Sequence, residues 1–232
     1  MNIDFVSVVH LLRSASWGSL ATHSEQMQGY PFASVLPYVL DAQHAPLFLM
    51  SALAEHTKNV LADGRASFLV HSPDPDDILA AERISLLGTV APIEASPTLV
   101  RHYLRYHPNA EQFLGLGDFA FFRLSPQRAR YIGGFGRMGW AGAPDWDGAA
   151  VLALDDAELL LTDAIASQLG DMRLLGLDCY GFDVERNGRR MRQQFKEGPI
   201  SADRIGESLI RHLDQRHTGE GAAASLRRPA DT

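Results

Sequence analysis

The chain has 232 residues, is 46% hydrophobic and 21% charged, and carries a formal charge of −7, the balance of a soluble globular protein with one large domain or two small ones. The acidic balance argues against a nucleic-acid partner, which needs a basic face, and no apolar run approaches the roughly 18 residues that span a bilayer. One cysteine, Cys179, excludes an internal disulfide and a cysteine-only metal site; with no signal-peptide pattern after Met1, a cytoplasmic setting is expected.

In chain order, Phe5, Val8, Val9, Leu11 and Leu12 mark an amphipathic helix over 4–15, followed by a strand over 17–22. A turn at Gly29-Tyr30-Pro31 leads to a strand over 32–41, which Pro37 confines to an edge or a bulge. The apolar run 46–50 is a buried strand, and the stretch Ser51-Ala52-Leu53-Ala54-Glu55-His56-Thr57-Lys58-Asn59 opens a short helix. Small hydroxyls and one lysine at a strand end and helix start suit an anion, because free N–H groups and the helix dipole favour phosphate there. The same residues also suit an ordinary helix cap, with Ser51 or Thr57 as the capping residue.

Strands follow over 66–71 and 83–90, separated by the turn-rich Ser72-Pro73-Asp74-Pro75-Asp76, then a helix over 96–106 that His107-Pro108 stops. Two more strands, over 119–124 and 129–132, complete a set of six or seven short strands with few helices, the mark of a small barrel. The composition shift at 141–145 reads as a linker. Beyond it are a helix over 155–170, a strand and turn over 174–178 and 181–184, a partner strand over 189–195, and a final helix started by Ser201. The expected domains are 1–142 and 150–217, with a small, polar, disordered tail over 218–232.

Five stretches in series resemble the pyridoxamine-phosphate-oxidase-related family of FMN-binding split barrels, nearest the haem-utilisation (HugZ-type) branch. They are Gly29 to Tyr38, Leu53 to Asn59, Arg83 to Gly88, Asp118 to Leu124, and Ala129 to Gly136. Residues 155–216 further resemble the small α/β domain that follows such barrels, chiefly through Gly176 to Phe182. The resemblance implies an α+β architecture, a split β-barrel followed by a small α/β domain, and a homodimer with FMN at the subunit interface. It places the backbone of Ser34, Val35 and Leu36 against the isoalloxazine edge, and Ser51, His56, Thr57 and Lys58 around the ribityl phosphate. Arg83 falls near the flavin N1/O2 edge, where a cation stabilises reduced flavin, and Gly134 and Trp140 come from the partner subunit.

The first function this implies is an FMN-dependent oxidoreductase with no identifiable catalytic acid or base. The alternative is haem binding or oxidative haem degradation on the same scaffold, and a third is a storage or sensing module without turnover. Arg128, Arg130 and Arg137 bracket the flavin corner and suit an anionic substrate such as a propionate or phosphate. The other candidates have plainer readings. His71 with Asp74 and Asp76 is a capped turn rather than a metal cluster. His102, His107 and His212 are surface residues, and Cys179 is packed. The arginines over 186–192 form a solvated strand edge.

Overall fold

The alternating apolar residues of the first two-thirds of the chain fold into one antiparallel sheet that curls on itself. The computed structural model describes residues 3–73, 77, 79–133, 137–161 and 171–217, the last four by backbone alone. Helix α1 (Phe5–Ser14) begins at Asp4, whose carboxylate accepts the Val6 N–H. Strands β1 (Trp17–His23), β2 (Pro31–Pro37), β3 (Val39–Leu40) and β4 (Pro46–Ser51) lead into helix α2 (Glu55–Ala62). Strands β5 (Arg65–His71) and β6 (Glu82–Ile93) precede helices α3 (Pro97–Tyr106) and α4 (Glu111–Leu114). Then come β7 (Phe119–Gly133), β8 (Met138–Gly142), α5 (Ala143–Asp147) and α6 (Leu154–Leu160).

The sheet runs β2-β1-β5-β6-β7-β4-β3, with β8 added on β7. Its two ends, β2 and β3, are separated in the chain only by Tyr38, so the sheet has to bend into a barrel. The far edge of β2 carries no strand partner among the described residues, which leaves the barrel split along that side. Pro37 therefore ends an edge strand, as its missing N–H requires. The interior is hydrocarbon: Leu20, Phe48, Phe68, Ile84, Leu86 and Leu124 are all fully buried.

Two expectations are corrected here. The strands over 119–124 and 129–132 are one 15-residue strand, β7, whose pairing with β6 shifts register between Leu87 and Gly88. Gly88 is required there, since a Cβ would lie 2.1 Å from the Ser125 carbonyl oxygen. The expected linker at 141–145 is instead the end of β8 and the start of α5, and Trp146 of α5 stacks edge-on against Phe5.

A second, three-stranded sheet is built from β9 (Arg173–Asp178), β10 (Gly181–Arg186) and β11 (Arg189–Gln194), in the order β11-β10-β9. Helix α7 (Ile205–His217) covers it through Ile205, Leu209 and Leu213. Ser201 stands at the start of the preceding 3-10 turn but makes no side-chain cap. Helix α1 joins the two sheets, with Val8, Leu11 and Leu12 in the barrel core and Val9 in the core of the second sheet. Arg13, on the same helix, pairs with Asp178 and Asp183 of the second sheet. The expected tail, 218–232, and most of the expected helix over 155–170 lie outside the described residues.

Candidate functional site

The helix-start segment after β4 is more occupied than its sequence suggests. Ser51 donates its hydroxyl to Asp118 Oδ2 at 2.6 Å and accepts the Leu53 N–H at 3.1 Å, so its polar capacity is largely used. The N-cap of α2 is Ala54, which offers no side-chain bond, so neither Ser51 nor Thr57 caps the helix. The backbone N–H groups of Ala52, Ala54, Thr57 and Lys58 all bond to carbonyls. Thr57 is buried and its hydroxyl has no partner. Burial lowers the pKa of His56, which keeps the ring neutral at physiological pH. A phosphate at this helix start would meet one exposed lysine, Lys58, with the Glu55 carboxylate in the same turn and Asp118 on Ser51.

The remaining expected flavin and anion residues fall on other surfaces. Ser34 and Leu36 point into the barrel and Val35 points out, at 63% exposure, on the unpaired edge strand. The Ser34 hydroxyl is also buried without a partner. Strand register then places one outward row across the sheet: Val35, Ser19, Leu69, Ser85, Arg130 and Trp140. Trp140 stands 46% exposed, with the Arg128 guanidinium 4.2 Å and the Arg130 guanidinium 5.4 Å from its ring centre. In the adjacent row, Ala33, Ala21, Ser67 and Leu87 continue this outer face with small and apolar side chains. Three expected residues, Val35, Arg130 and Trp140, therefore share one face.

Arg83 also starts on this face, but its guanidinium turns to donate to the carbonyls of Leu79 and Ala81. Arg137 reaches Glu82 only at 4.0 Å across an exposed gap. Gly134 lies outside the described residues, as do Asp74 and Asp76.

Sequence reasoning missed a cleft of about 370 Å³ between the barrel and the second sheet. Its walls include Ser16, Trp17 and His71 from the barrel, and Arg189 and Arg190 from the β10–β11 hairpin. Trp17 and His71 meet edge to face, 5.5 Å between ring centres. His71 Nδ1 lies 2.8 Å from the Ser72 carbonyl oxygen, which can only accept, so Nδ1 is the donor of that bond. Arg190 is fixed by donating to the Ala15 carbonyl at 2.7 Å and by lying 4.6 Å over the Tyr106 ring.

A second cavity, about 410 Å³, lies outside β4 under α3 and α4, lined by Leu49, Tyr103, His107 and the stacked pair Phe113 and Phe119. His107 Nε2 donates to the Tyr38 carbonyl, and burial lowers its pKa to about 4. His102 behaves likewise, fully buried on the Leu40 carbonyl and lowered to about 4, so neither is the surface residue its helix-end position suggested. His212 packs its ring against Phe182 rather than standing in solvent.

The basic strand is a further correction. Arg192 is buried, with Nη2 2.7 Å from Asp178 Oδ1 and Nη1 3.1 Å from Asp183 Oδ1. From α1, Arg13 Nε lies 2.8 Å from Asp178 Oδ2, as an ion pair without the alignment of a hydrogen bond. The Tyr106 hydroxyl donates to Asp183 at 2.6 Å. The two guanidiniums hold the Asp178 carboxyl well below the usual carboxylate range, overcoming the opposite push of burial. Cys179 is buried as expected, and burial pushes its thiol up to about 11, which leaves it inert at neutral pH.

Comparison with known proteins places this geometry among relatives. An unconventional chloroplastic haem oxygenase of Arabidopsis thaliana, HOZ, is 36% identical over 126 residues, covering 53% of this chain and 38% of that protein. The chain thus spans well under half the length of this curated relative. A solved haem-binding protein of Mycobacterium smegmatis matches with a TM-score of 0.59 and 28% identity, over 94% of this chain and 99% of that one. The Agrobacterium tumefaciens protein Atu2129, of unknown function, matches with a TM-score of 0.70 at 20% identity, over 89% and 94%, and supports the fold alone. The family model described as CREG, beta-barrel matches residues 8–147, which span the curled sheet from α1 to α5, and the chain belongs to that split-barrel, pyridoxamine-phosphate-oxidase-like family.

Proposed function

We propose that this chain is a haem-binding protein of haem utilisation, acting as a homodimer, with oxidative haem degradation as its reaction. The observation that carries the reading is a match over nearly the whole chain, 94% against 99%, to a solved haem-binding protein. The haem oxygenase relative supports the same ligand over the barrel half. The described residues hold no cluster of His, Cys, Asp and Glu for a metal of their own, so the iron comes with the porphyrin. Bound haem supplies redox-active iron, and the chain's part is to bind, orient and shield it.

The outer face of the sheet that carries the row from Val35 to Trp140 is the one offered for dimerisation. Its Ser and Ala residues let a second sheet approach closely, while Val35, Leu69, Leu87 and Trp140 supply apolar area. Leu87→Asp is expected to turn a dimer into a monomer in sedimentation while leaving the circular dichroism spectrum unchanged. The test of the main reading is titration of the purified full chain with ferric haem. A saturable Soret shift at one haem per subunit is expected, and loss of the Soret band under reductant and oxygen would establish turnover. An absorbance that only tracks free haem sinks the reading.

FMN binding is the second reading, favoured by the unpaired β2 edge beside the unpartnered Ser34 hydroxyl. It predicts quenching of FMN fluorescence on titration, and a loss of about 1–3 kcal/mol in affinity for Lys58→Ala. Unquenched FMN at high protein concentration would remove it.

A further inference from the structure

We infer that the cavity under α3 and α4 binds an uncharged, flat aromatic small molecule, at a site that does not depend on the haem-binding reading above. Its floor is Leu49 of β4 and Phe119 of β7; around it stand Tyr103 and Tyr106 of α3, His107 at the end of that helix, and Phe113 of α4. A volume of about 410 Å³ falls within the range of small-molecule sites. It is on the order of two to three times the roughly 150 Å³ cavity that holds benzene, which suits a molecule of two or three fused rings.

The lining sets the charge of the occupant. None of the side chains around the cavity is charged. His107 Nε2 donates to the Tyr38 carbonyl at 2.9 Å, and burial lowers the pKa of the ring to about 4, so it too is neutral at physiological pH. A carboxylate or phosphate would enter without a cation to meet it, and an ammonium without a carboxylate, each at a desolvation cost that no lining group offsets. The Asn109 side chain, exposed among the lining residues, can hydrogen-bond a hydroxyl or carbonyl substituent.

The lining also sets the shape. Phe113 and Phe119 lie 5.0 Å apart between ring centres and within 18° of parallel, which gives the cavity a planar wall for another ring to pack against. The opposite wall is fixed in advance. The Tyr106 hydroxyl donates to Asp183 at 2.6 Å, and Gly176 of β9 leaves room for it, since a Cβ there would lie 2.0 Å from that oxygen. Tyr103 is buried and packs edge-on against Phe121 at 5.2 Å. Rings held by partners outside the cavity lose little freedom when a ligand arrives.

The test uses the full chain and two matched fluorescent probes. N-phenyl-1-naphthylamine is uncharged, and 8-anilinonaphthalene-1-sulfonate is the same ring system with a sulfonate added. The neutral probe should bind saturably at one per chain, and the sulfonate more weakly. Phe113→Ala should weaken the neutral probe by up to about tenfold, the scale of one aromatic contact. Phe113→Asp, at a half-exposed position that tolerates a carboxylate, should weaken it further, and Ala110→Leu should exclude it by filling the cavity, with circular dichroism confirming both folds. Leu87→Asp, on the outer face of the barrel sheet, should leave binding unchanged. No saturable binding by wild type, or undiminished binding by Phe113→Asp, would overturn the site. A probe lost with Leu87→Asp instead would place binding on the outer face and overturn it equally. Equal affinity for the sulfonate, or displacement of the neutral probe by ferric haem, would overturn the assignment to an uncharged ligand.

Discussion

The barrel interior and the seam between α1 and the second sheet hold the chain together by opposite means. Inside the barrel, Leu20, Phe68, Ile84 and Leu86 meet hydrocarbon to hydrocarbon, so trimming one loses packing but strands no charge. At the seam, Arg13, Asp178, Asp183 and Arg192 are nearly as buried, at 4% side-chain exposure or less, yet each charge depends on the others. A buried ion network adds little net stability over apolar residues of the same size, but breaking it strands a charge. The barrel is therefore held by packing, and the seam is a device that fixes one orientation of the hairpin carrying Arg189 and Arg190.

The harshest test of that contrast removes residues 155–232. Val9 would lose Leu177, Phe182 and Leu209 from its core, and Arg13 would lose both carboxylates. The truncated chain is expected to aggregate on gel filtration rather than persist as the independent barrel that the composition break near 142 suggested. A monodisperse, folded product would show that the barrel stands alone. Next in size is Asp178→Ala, which leaves two buried guanidiniums short of a carboxylate and should cost about 3–5 kcal/mol in urea denaturation. Replacing Arg13, Asp178, Asp183 and Arg192 together by Met or Leu should recover most of that loss. If the quadruple variant is as unstable as Asp178→Ala, the seam contributes net stability and the contrast fails.

Acid sharpens the comparison from the other side. His102 is neutral when folded, with its pKa lowered from 6.5 to about 4. The unfolded chain takes up its proton below about pH 6.5 and the folded chain does not, so stability falls as pH drops from about 6.5 to about 4. The shift corresponds to a loss of roughly 3 kcal/mol from this residue. Asp178 has the same sign, because its lowered pKa contributes stability that is present above the unfolded value and lost on further acidification. Urea melts across this range should show the decline, with a shallower slope in His102→Gln. An unchanged slope would assign the acid sensitivity to other groups.

Local pattern made much of the barrel legible. The apolar run 46–50 is β4, the helix at 97–106 starts on the Ser96 cap, and Pro37 marks the edge strand that splits the barrel. What it hid was long-range. Ala141 and Gly142 look like linker composition, yet they pair with Ala129 and Arg128 of β7. Arg192 looks solvated because arginine usually is, and its partners stand 14 and 9 positions away in the chain. The available signal was two aspartates, Asp178 and Asp183, set inside apolar runs where a lone carboxylate has to find a cation. The cleft gave no local signal, since its walls come from residues 14–17, 71–73 and 188–190. His71 stood out in sequence for its neighbours Asp74 and Asp76, but its fixed partner is a backbone carbonyl.

The smallest expected effect separates a ligand site from a packing flaw. Ser34 sits in the barrel wall on the unpaired edge strand, and its hydroxyl is buried without a hydrogen bond. A desolvated, unsatisfied hydroxyl is a cost that alanine removes at little loss of volume. Ser34→Ala should therefore be neutral or raise the stability of the ligand-free chain by up to about 1 kcal/mol. If the β2 edge holds a polar cofactor, the same substitution should weaken FMN binding, because the hydroxyl then has a partner to lose. Haem affinity should stay at the wild-type value if haem does not contact this edge. Denaturation and the two titrations on this one variant thus distinguish a cofactor-holding edge strand from a packing flaw.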